Sequence, residues 1–302
     1  MDTVGVNAIK KMMDEYPENK EIVKDFVFYD NACSDYEPTF PSLTHLLTGQ
    51  ELEFGGNASD WLQKAWGSEQ SNYFFQQLKD AGYTCHLYSS VGEIKYIFGG
   101  AENLMNKFDN VQEVEMQIDM VDLLQKLLKL SAYRCVPYMC KPFFEVLTLD
   151  FNDVVSMVNV AAPSFTNQDF YQRLTSDRLS ANLEIDKLFY VNHILGAHPP
   201  WQTSANVSFI EETTELNTVR GLFVMLQEYL DQMKALGIYD SANIIVMSDH
   251  GAWGGDDIAP MFFLKRSGET HSSMCINSSP VSYQDFQATI LELIGKHDGS
   301  LG

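Results

Sequence analysis

Basic residues are scarce in this chain: 20 Lys and Arg stand against 41 Asp and Glu, and the formal net charge is −21. Because nucleic-acid phosphates are bound chiefly by Lys and Arg, this deficit argues against nucleic acid as a partner. Long apolar runs are lacking too, since no stretch approaches the ~18 apolar residues that a membrane-spanning helix needs. The acidity itself bears on solubility more than on function.

Cysteine is also sparse. The five Cys residues include no Cys-x-x-Cys pair, so the sequence does not indicate a zinc site of the finger type. Cys135 and Cys140 are close enough in sequence for a disulfide, but two free thiols explain them equally well. The odd count leaves at least one thiol unpaired.

Apolar residues, in contrast, make up 45% of the 302 residues. That is enough for a sizeable core, and the length suits one large α/β domain or two of moderate size. Apolar periodicity and turn signals predict helices at 4–16, 72–81, 116–130, 169–179, 212–236 and 282–294, and strands at 26–29, 83–88, 187–192, 243–247 and 261–264. Residues 91–115 are predicted to be irregular, and residues 131–165 show no clear period.

The strand predicted at 243–247 stops abruptly at Ser248-Asp-His-Gly251. In open α/β sheets, ligands collect outside the carboxyl ends of the strands. Asp249 and His250 would offer a carboxylate oxygen and an imidazole nitrogen at that edge, which is metal-ligand chemistry. A strand end whose Asp caps the next helix fits the same four residues equally well.

A second polar cluster is Pro38-Thr-Phe-Pro-Ser-Leu43. Pro41 suits the first turn of a helix that runs from about residue 42 to 48 and closes at Gly49. Thr39 would lie just before the N-terminus of that helix. Backbone N–H groups and the helix dipole there favour an anion such as phosphate.

A third cluster, His193-Ile-Leu-Gly-Ala-His-Pro-Pro-Trp201, follows the strand predicted at 187–192. The order and spacing of the three clusters resembles the sulfatase-like branch of the alkaline phosphatase superfamily. Within that branch the chain is most similar to the lipoteichoic acid synthase and phosphoglycerol transferase group. The resemblance covers nearly the whole chain. It implies an alkaline-phosphatase-like three-layer sandwich with a mostly parallel central sheet, in a single catalytic domain over residues 1–302.

The resemblance also places the nucleophile. In sulfatases the nucleophile opens a Cys/Ser-x-Pro-x-Arg motif, and the matching stretch here begins at Thr39. Thr39 cannot become the formylglycine of sulfatases, and Leu43 replaces the arginine, so sulfate-ester hydrolysis is disfavoured. A threonine at this position resembles the phospho-group transferases and implies a covalent phospho-ester intermediate. Threonine is a weak nucleophile that a metal can activate. Ser42 is the alternative nucleophile, although its position suits a helix cap.

Asp249 and His250 match two metal ligands of the family, and a further ligand is an acidic residue at the end of the first strand. Asp2 fits that place, so the resemblance implies one divalent metal held by Asp2, Thr39, Asp249 and His250. This oxygen-rich set favours Mn²⁺, with Mg²⁺ or Zn²⁺ as alternatives. The first strand is expected to be truncated in this chain, and Asp2 is then expected to be loosely held.

His198 matches the family's substrate-side histidine, which steadies the phosphate or acts as an acid or base. His193 is an alternative for that role, and a packed histidine explains it as well. Trp201 and His271 are candidate substrate contacts, although simple packing of Trp201 and an ordinary loop position for His271 explain them too.

The resemblance thus implies a transferase of the phosphoglycerol type, which acts on a phospholipid headgroup or an envelope glycopolymer. A phosphodiesterase, phosphatase or sulfuric-ester hydrolase is the alternative within the superfamily, and a catalytically silent binding domain is the alternative from another class. In this group a membrane-anchoring region precedes an extracytoplasmic catalytic domain, and the same is expected of the full-length protein.

Overall fold

The computed structural model describes residues 1–53, 55–89, 91–112, 115–146, 155–158, 166–182, 184–252 and 258–296. Two compact units are present: one joins Met1–Asn110 to Ala162–Gly302, and the other is Val111–Ala161. Across these described ranges, no helix combines the length and the apolar character needed to cross a bilayer. The single catalytic domain expected over residues 1–302 stays a prediction.

Helices and strands alternate along much of the described chain. The helices are α1 (Val6–Glu15), α2 (Asn19–Ile22), α3 (Thr39–Thr48), α4 (Ala58–Gly67), α5 (Glu69–Asp80), α6 (Val91–Phe98), α7 (Met120–Cys135), α8 (Asn167–Ser176), α9 (Glu215–Ala235) and α10 (Phe286–Leu293). The strands are β1 (Val27–Tyr29), β2 (Ala32–Cys33), β3 (Thr84–Tyr88), β4 (Glu115–Ile118), β5 (Val155–Val158), β6 (Leu188–Asn192), β7 (Ile244–Met247), β8 (Phe262–Lys265), β9 (Cys275–Asn277) and β10 (Val281–Ser282).

The largest sheet of the first unit has the strand order β7-β8-β1-β9. Strands β7, β1 and β9 run in one direction, and β8 runs against them. The pairs β3 with β6 and β2 with β10 are parallel as well. This mixed α/β architecture with mainly parallel strands confirms the expected fold class.

Helices α1 and α9 share the main hydrophobic core with the largest sheet. The rings of Phe28 in β1 and Phe263 in β8 are stacked there, with centroids 4.5 Å apart. Thr214 starts α9 by accepting a hydrogen bond from the Asn217 N–H, which satisfies one of the free donors of the first turn. Both helices bury the residues that recur at helical spacing: Val6, Ile9, Met12, Met13, Val219, Leu222, Leu226, Leu230 and Met233.

The first two residues lie between the ends of β6 and β7. The amino group of Met1 donates to the Met247 carbonyl at 2.9 Å, and the Asp249 N–H donates to the Met1 carbonyl at 3.1 Å. On the other side, the Asp2 N–H donates to the Ile194 carbonyl at 3.1 Å. Asp2 is buried and is hydrogen-bonded to the segment after β6, while Met1 before it is hydrogen-bonded to the end of β7. The expectation of a loosely held Asp2 is therefore wrong.

Helix α3 begins at Thr39, three residues before the predicted start. The Ser42 N–H closes its first turn on the Pro38 carbonyl at 3.3 Å. Pro41 is tolerated because the first N–H groups of a helix have no intrahelical partner, so the missing proline N–H costs nothing there. Thr39 is therefore the first residue of the helix, not a residue before it.

Two other predicted boundaries were wrong. Residues 91–98, predicted to be irregular, form the short helix α6. The helix ends before Gly99 and Gly100, which both have a positive φ. The helix predicted at 116–130 begins only at Met120, because Asp119 caps it by accepting from two backbone N–H groups. The residues before Asp119 form β4.

The second unit contains the antiparallel pair β4 and β5, helix α7, and a 3-10 segment, Tyr138–Phe144. No described side chain of α7 or of the 3-10 segment is buried. The apolar residues whose spacing predicted this helix therefore lie on an exposed face. Cys135 and Cys140, at the end of α7 and in the 3-10 segment, are free thiols.

Candidate metal centre

Three ionisable side chains from distant parts of the sequence meet beyond the carboxyl end of β7. Asp2, Asp249 and His250 are all buried and offer ligand atoms within 4.8 Å of one another. The Nε2 atom of His250 lies 3.5 Å from Asp2 Oδ1 and 3.6 Å from Asp249 Oδ2. Buried carboxylates this close repel each other unless a cation or a proton lies between them, so the cluster suits a divalent metal.

Thr39 faces the same cluster from the N-terminus of α3. Its Oγ1 atom lies 3.5 Å from His250 Nε2, and the residue is only partly buried, so a substrate can reach it. The helix N-terminus carries a partial positive charge that favours an approaching anion. The four residues predicted as metal ligands are thus brought together.

The two oxygens of Asp249 have different surroundings. Oδ1 accepts from the N–H of Thr3 at 3.2 Å and from the N–H of His250 at 2.9 Å. Oδ2 is buried and has no hydrogen-bond partner among the described residues. A buried carboxylate oxygen without a partner is costly, and a bound cation would remove that cost. The chain therefore fits a metal at this oxygen.

His250 is oriented as a metal ligand. Its Nδ1 lies 2.8 Å from the Gly251 carbonyl oxygen. Because a carbonyl only accepts, Nδ1 carries the proton in the neutral ring. Nε2 then directs its lone pair toward the two carboxylates and Thr39, which is the arrangement in which a backbone carbonyl fixes the tautomer of a ligating histidine.

The residues that position the metal ligands were not identified from the sequence. Thr3 donates its hydroxyl to Asp2 Oδ1 and has a φ of 54°, which a β-branched residue rarely adopts. The Tyr283 hydroxyl donates to the Ser248 carbonyl. The position of Thr3 directly after Asp2 could have indicated its role, whereas the contact of Tyr283 joins residues far apart in sequence.

Ser42 supports the site from α3. Its hydroxyl is buried and donates to the Asp249 carbonyl at 2.6 Å. The oxygen is thus directed at the backbone beside the cluster, while Thr39 Oγ1 points to His250. This geometry favours Thr39 over Ser42 as the nucleophile.

Both candidate substrate-side histidines lie near the cluster. His193 and His198 each interact electrostatically with Asp2. His193 is buried, whereas His198 is partly exposed and has its Nδ1 2.6 Å from the Pro199 carbonyl oxygen. Nε2 is then the atom of His198 that can exchange a proton with a substrate. The indole N–H of Trp201 donates to the Ala197 carbonyl at 2.9 Å, so Trp201 folds back on its own loop; its contact with substrate stays a prediction.

His271 is not brought to the cluster. Its Nε2 pairs with Glu269 at 2.9 Å, and its N–H donates to Asp25 at 3.2 Å. The loop of His271 joins β8 to β9 at the end of the sheet where β7 begins, because Lys265 pairs with Ile244. The five residue steps from Ile244 to Asp249 span roughly 16 Å at about 3.3 Å each, so the loop of His271 lies at the other end of β7 from the cluster.

Burial, together with the negative charge of Asp249, raises the pKa of Asp2 above that of an ordinary carboxyl group. We therefore expect the metal-free protein to lose the stabilisation from this proton as the pH rises. The folded state holds the proton more tightly than the unfolded chain, so the stabilisation is complete below the ordinary carboxyl pKa and is lost as the pH passes the raised one. Mn²⁺ should restore stability at the higher pH, because it binds the carboxylate.

The measurement is the Tm of the wild type and of Asp2→Asn from about pH 4 to pH 8, with EDTA and with Mn²⁺. The difference between the two proteins cancels the other titrating groups. In EDTA, the Tm of the wild type should fall relative to the Tm of Asp2→Asn as the pH rises. A difference that stays constant with pH would contradict a raised pKa of Asp2.

No protein-family model matches the chain, and no curated protein matches it. Solved structures are similar in fold. A protein in the alkaline phosphatase superfamily from Vibrio parahaemolyticus aligns with a TM-score of 0.56 and 16% identity, over 97% of this chain and 64% of its own. The lipoteichoic acid synthase LtaP from Listeria monocytogenes aligns with a TM-score of 0.54 and 12% identity, over 93% of this chain and 66% of its own. A Bacteroides thetaiotaomicron protein of glycosaminoglycan metabolism, designated 4S-sulf, aligns with a TM-score of 0.55 and 12% identity. The alignment covers 98% of this chain and 71% of that protein.

The chain spans about two thirds of the length of these proteins, 64% of the first and 66% of the second. Two of the three are named for an enzymatic activity. At 12–16% identity, the similarity establishes the arrangement of helices and strands. The chain therefore has the same fold as these proteins, the first of which is named as a member of the alkaline phosphatase superfamily.

Proposed function

We propose that the chain is the catalytic domain of a metal-dependent phospho-group transferase of the phosphoglycerol type, with Thr39 as its nucleophile. The observation that carries the proposal is the position of Thr39 Oγ1, at the start of α3 and 3.5 Å from the His250 nitrogen that also faces Asp2 and Asp249. A covalent phospho-ester mechanism requires an accessible hydroxyl beside the metal ligands, and Thr39 Oγ1 has that position.

Asp2, Asp249 and His250 would hold the metal, and Thr39 would complete the set. The unpartnered Asp249 Oδ2 supports this assignment. A divalent cation supplies positive charge that favours ionisation of a nearby hydroxyl and offsets charge on a phosphoryl oxygen. The donors are mainly oxygens, which favours Mn²⁺, with Mg²⁺ and Zn²⁺ as alternatives.

The side chains then divide the reaction between them. Thr39 Oγ1, after losing its proton to solvent, forms a bond to phosphorus as the bond from phosphorus to the leaving alcohol breaks. His198 donates the proton that the leaving oxygen takes up through Nε2, since Nδ1 lies against the Pro199 carbonyl oxygen and the side chain is partly exposed. In the second half, an acceptor hydroxyl gives its proton to His198 and displaces Thr39.

The donor in this proposal is a phospholipid headgroup or an envelope glycopolymer. Such donors lie in the cell envelope, so the full-length protein would be anchored in the membrane with this domain outside the cytoplasm. The fold similarity to a lipoteichoic acid synthase supports that placement.

A hydrolase of the same superfamily is the second candidate. Water in place of the acceptor alcohol would make the protein a phosphodiesterase or phosphatase. A sulfuric-ester hydrolase is less favoured, because Thr39 and Leu43 replace the Cys or Ser and the Arg of the sulfatase motif. A catalytically silent binding domain is least favoured, since without a metal the buried Asp249 Oδ2 would have no partner among the described residues.

The proposal is tested by the intact mass of the protein after incubation with phosphatidylglycerol and Mn²⁺. We expect a mass increase equal to one glycerol phosphate less one water, which Thr39→Ala abolishes. Ser42→Ala should retain the adduct, because Ser42 is bonded to the backbone, and Thr39→Ser should retain it in part. An adduct that survives in Thr39→Ala would overturn the assignment of the nucleophile.

Acceptor dependence separates the two enzymatic candidates. For a transferase, release of diacylglycerol should rise with the concentration of an added glycerol-phosphate acceptor, and the acceptor should gain the phospho-group. Release that ignores the acceptor would assign a hydrolase. Absence of both metal binding and turnover would leave a binding domain.

A further inference from the structure

The second unit exposes an unusual amount of apolar surface along α7. Five residues lie within an arc of about 120° at 100° per residue. Each of them is between 43% and 69% exposed: Met120, Val121, Leu124, Leu127 and Leu128. An amphipathic helix in a folded protein normally turns this face inward. Here the face has no cover among the described residues.

The 3-10 segment that follows α7 extends the same character. Tyr138, Met139 and Phe143 are 79–87% exposed, which is rare for three large side chains so close in sequence. Exposed apolar patches of this kind mark interaction surfaces more often than they mark ordinary surface. We call α7 and the 3-10 segment together the apolar surface of the second unit.

The charge of this surface is opposite to that of the chain. Residues 123–144 contain four basic residues and no acidic one, although the whole chain has 41 Asp and Glu against 20 Lys and Arg. Lys126 is paired with Asp122, and Lys141 lies over the ring of Tyr133. Lys129 and Arg134 form no ion pair with any residue that the structure describes.

We propose that this surface docks the protein on an anionic lipid bilayer. A basic, amphipathic helix with its apolar face uncovered lies in the plane of the membrane interface, where leucines enter the acyl region and lysines meet anionic headgroups. Tyr138 and Phe143 on either side of Lys141 fit the headgroup level, where aromatic rings are favoured. The inference goes beyond the proposed function, because docking requires neither the metal nor Thr39.

A membrane explains the combination better than a protein partner does. Apolar exposure alone would suit either. The exclusion of acidic residues from 22 consecutive positions of a strongly acidic chain adds a demand for an anionic, laterally extended surface. A bilayer that contains anionic lipid suits both properties, because its charged headgroups attract the basic residues and its hydrocarbon accepts the apolar side chains.

The test is co-sedimentation of the protein with large vesicles of phosphatidylcholine alone or with phosphatidylglycerol added. We expect binding only when anionic lipid is present, and weaker binding at high salt. The double variant Lys129→Glu and Arg134→Glu should weaken binding by at least about fivefold per residue. The double variant Leu124→Ser and Leu128→Ser should weaken it at least about tenfold.

Matched controls lie on the first unit. Ile276→Ser removes another apolar side chain that is 60% exposed, and Lys234→Glu reverses another exposed charge. Both should bind vesicles like the wild type, as should Thr39→Ala, which separates docking from catalysis. Circular dichroism and Tm report that each variant is folded.

Three results would overturn the inference. Binding that the α7 variants leave unchanged would move the docking site elsewhere. A concentration-dependent oligomer that the leucine variants dissolve would assign the surface to a second copy of the chain. A Tm lowered by several degrees in the leucine variants, without any binding of the wild type to vesicles, would mean that the face is covered within the folded protein.

Discussion

Asp249→Asn is expected to weaken binding of Mn²⁺ by at least about a hundredfold, more than the loss seen for groups that only orient a ligand. The same change should raise the Tm of the metal-free protein by a few degrees. In the wild type, the unpartnered Oδ2 faces Asp2 and His250 from inside the protein. The amide that replaces it removes one of two neighbouring buried charges and can supply a donor to the Asp2 carboxylate.

Asp25 provides the matched control, because it is also a buried aspartate. Its Oδ2 accepts from the Tyr239 hydroxyl at 3.0 Å and its Oδ1 accepts from the His271 N–H at 3.2 Å, so both oxygens already have donors. Asp25→Asn should place an amide N–H against one of these donors and lower the Tm, with no effect on the metal. Isothermal titration calorimetry and thermal unfolding with and without EDTA measure both quantities. A metal-free Tm that falls equally in both variants would mean that Asp249 is an ordinary structural aspartate.

Gly196→Ala is expected to abolish the metal site by displacing Asp2. A Cβ atom at position 196 would lie 2.2 Å from the Asp2 carbonyl oxygen and 2.4 Å from the Asp2 nitrogen. Gly196 cannot retreat, because Asn167 holds it from the other side: the amide of Asn167 donates to the Gly196 carbonyl at 2.7 Å and accepts from its N–H at 3.0 Å. We expect affinity for Mn²⁺ to fall at least about tenfold and stability to fall by more than backbone strain alone explains.

Gly237 separates strain from collision. Its φ of 70° is close to the 65° of Gly196, but a Cβ atom there meets nothing within 4 Å. Gly237→Ala should therefore lose only the ~1–2 kcal/mol that a left-handed conformation costs a residue with a side chain, and should bind the metal normally. Equal losses of Tm and equal metal affinities in the two variants would show that Asp2 adapts, and that its position is not fixed by Gly196.

The parts of the site that could be predicted are those whose signal is local. Asp249 and His250 directly follow an apolar strand, so a short window of sequence contains both the strand and its polar end. Asp2 has no such window, and only the resemblance to a known family indicated it. The backbone N–H of Thr3 and the side chain of Asn167 contact residues that are remote in sequence, and no local sequence pattern predicts such contacts.

Two failures have a similar cause. The position of His271 beside other polar residues says nothing about which end of the sheet its loop occupies, and that end depends on the antiparallel direction of β8. The period of α7 correctly predicted that one face is apolar. Periodicity cannot predict what covers that face, because the cover is a property of the assembled molecule.

The pairing of Met1 with Met247 has a consequence for how the protein is made. It joins positions 246 residues apart, and Asp2 beside it belongs to the candidate metal site. At about 5–20 residues per second, a ribosome needs roughly 12–50 s to reach the partner strand. During that time α1 is already synthesised, but α9, against which its apolar side chains pack, is not complete. The nascent chain thus carries an exposed hydrophobic helix until α9 has been synthesised, and it can acquire its metal only after Asp249 and His250 have followed.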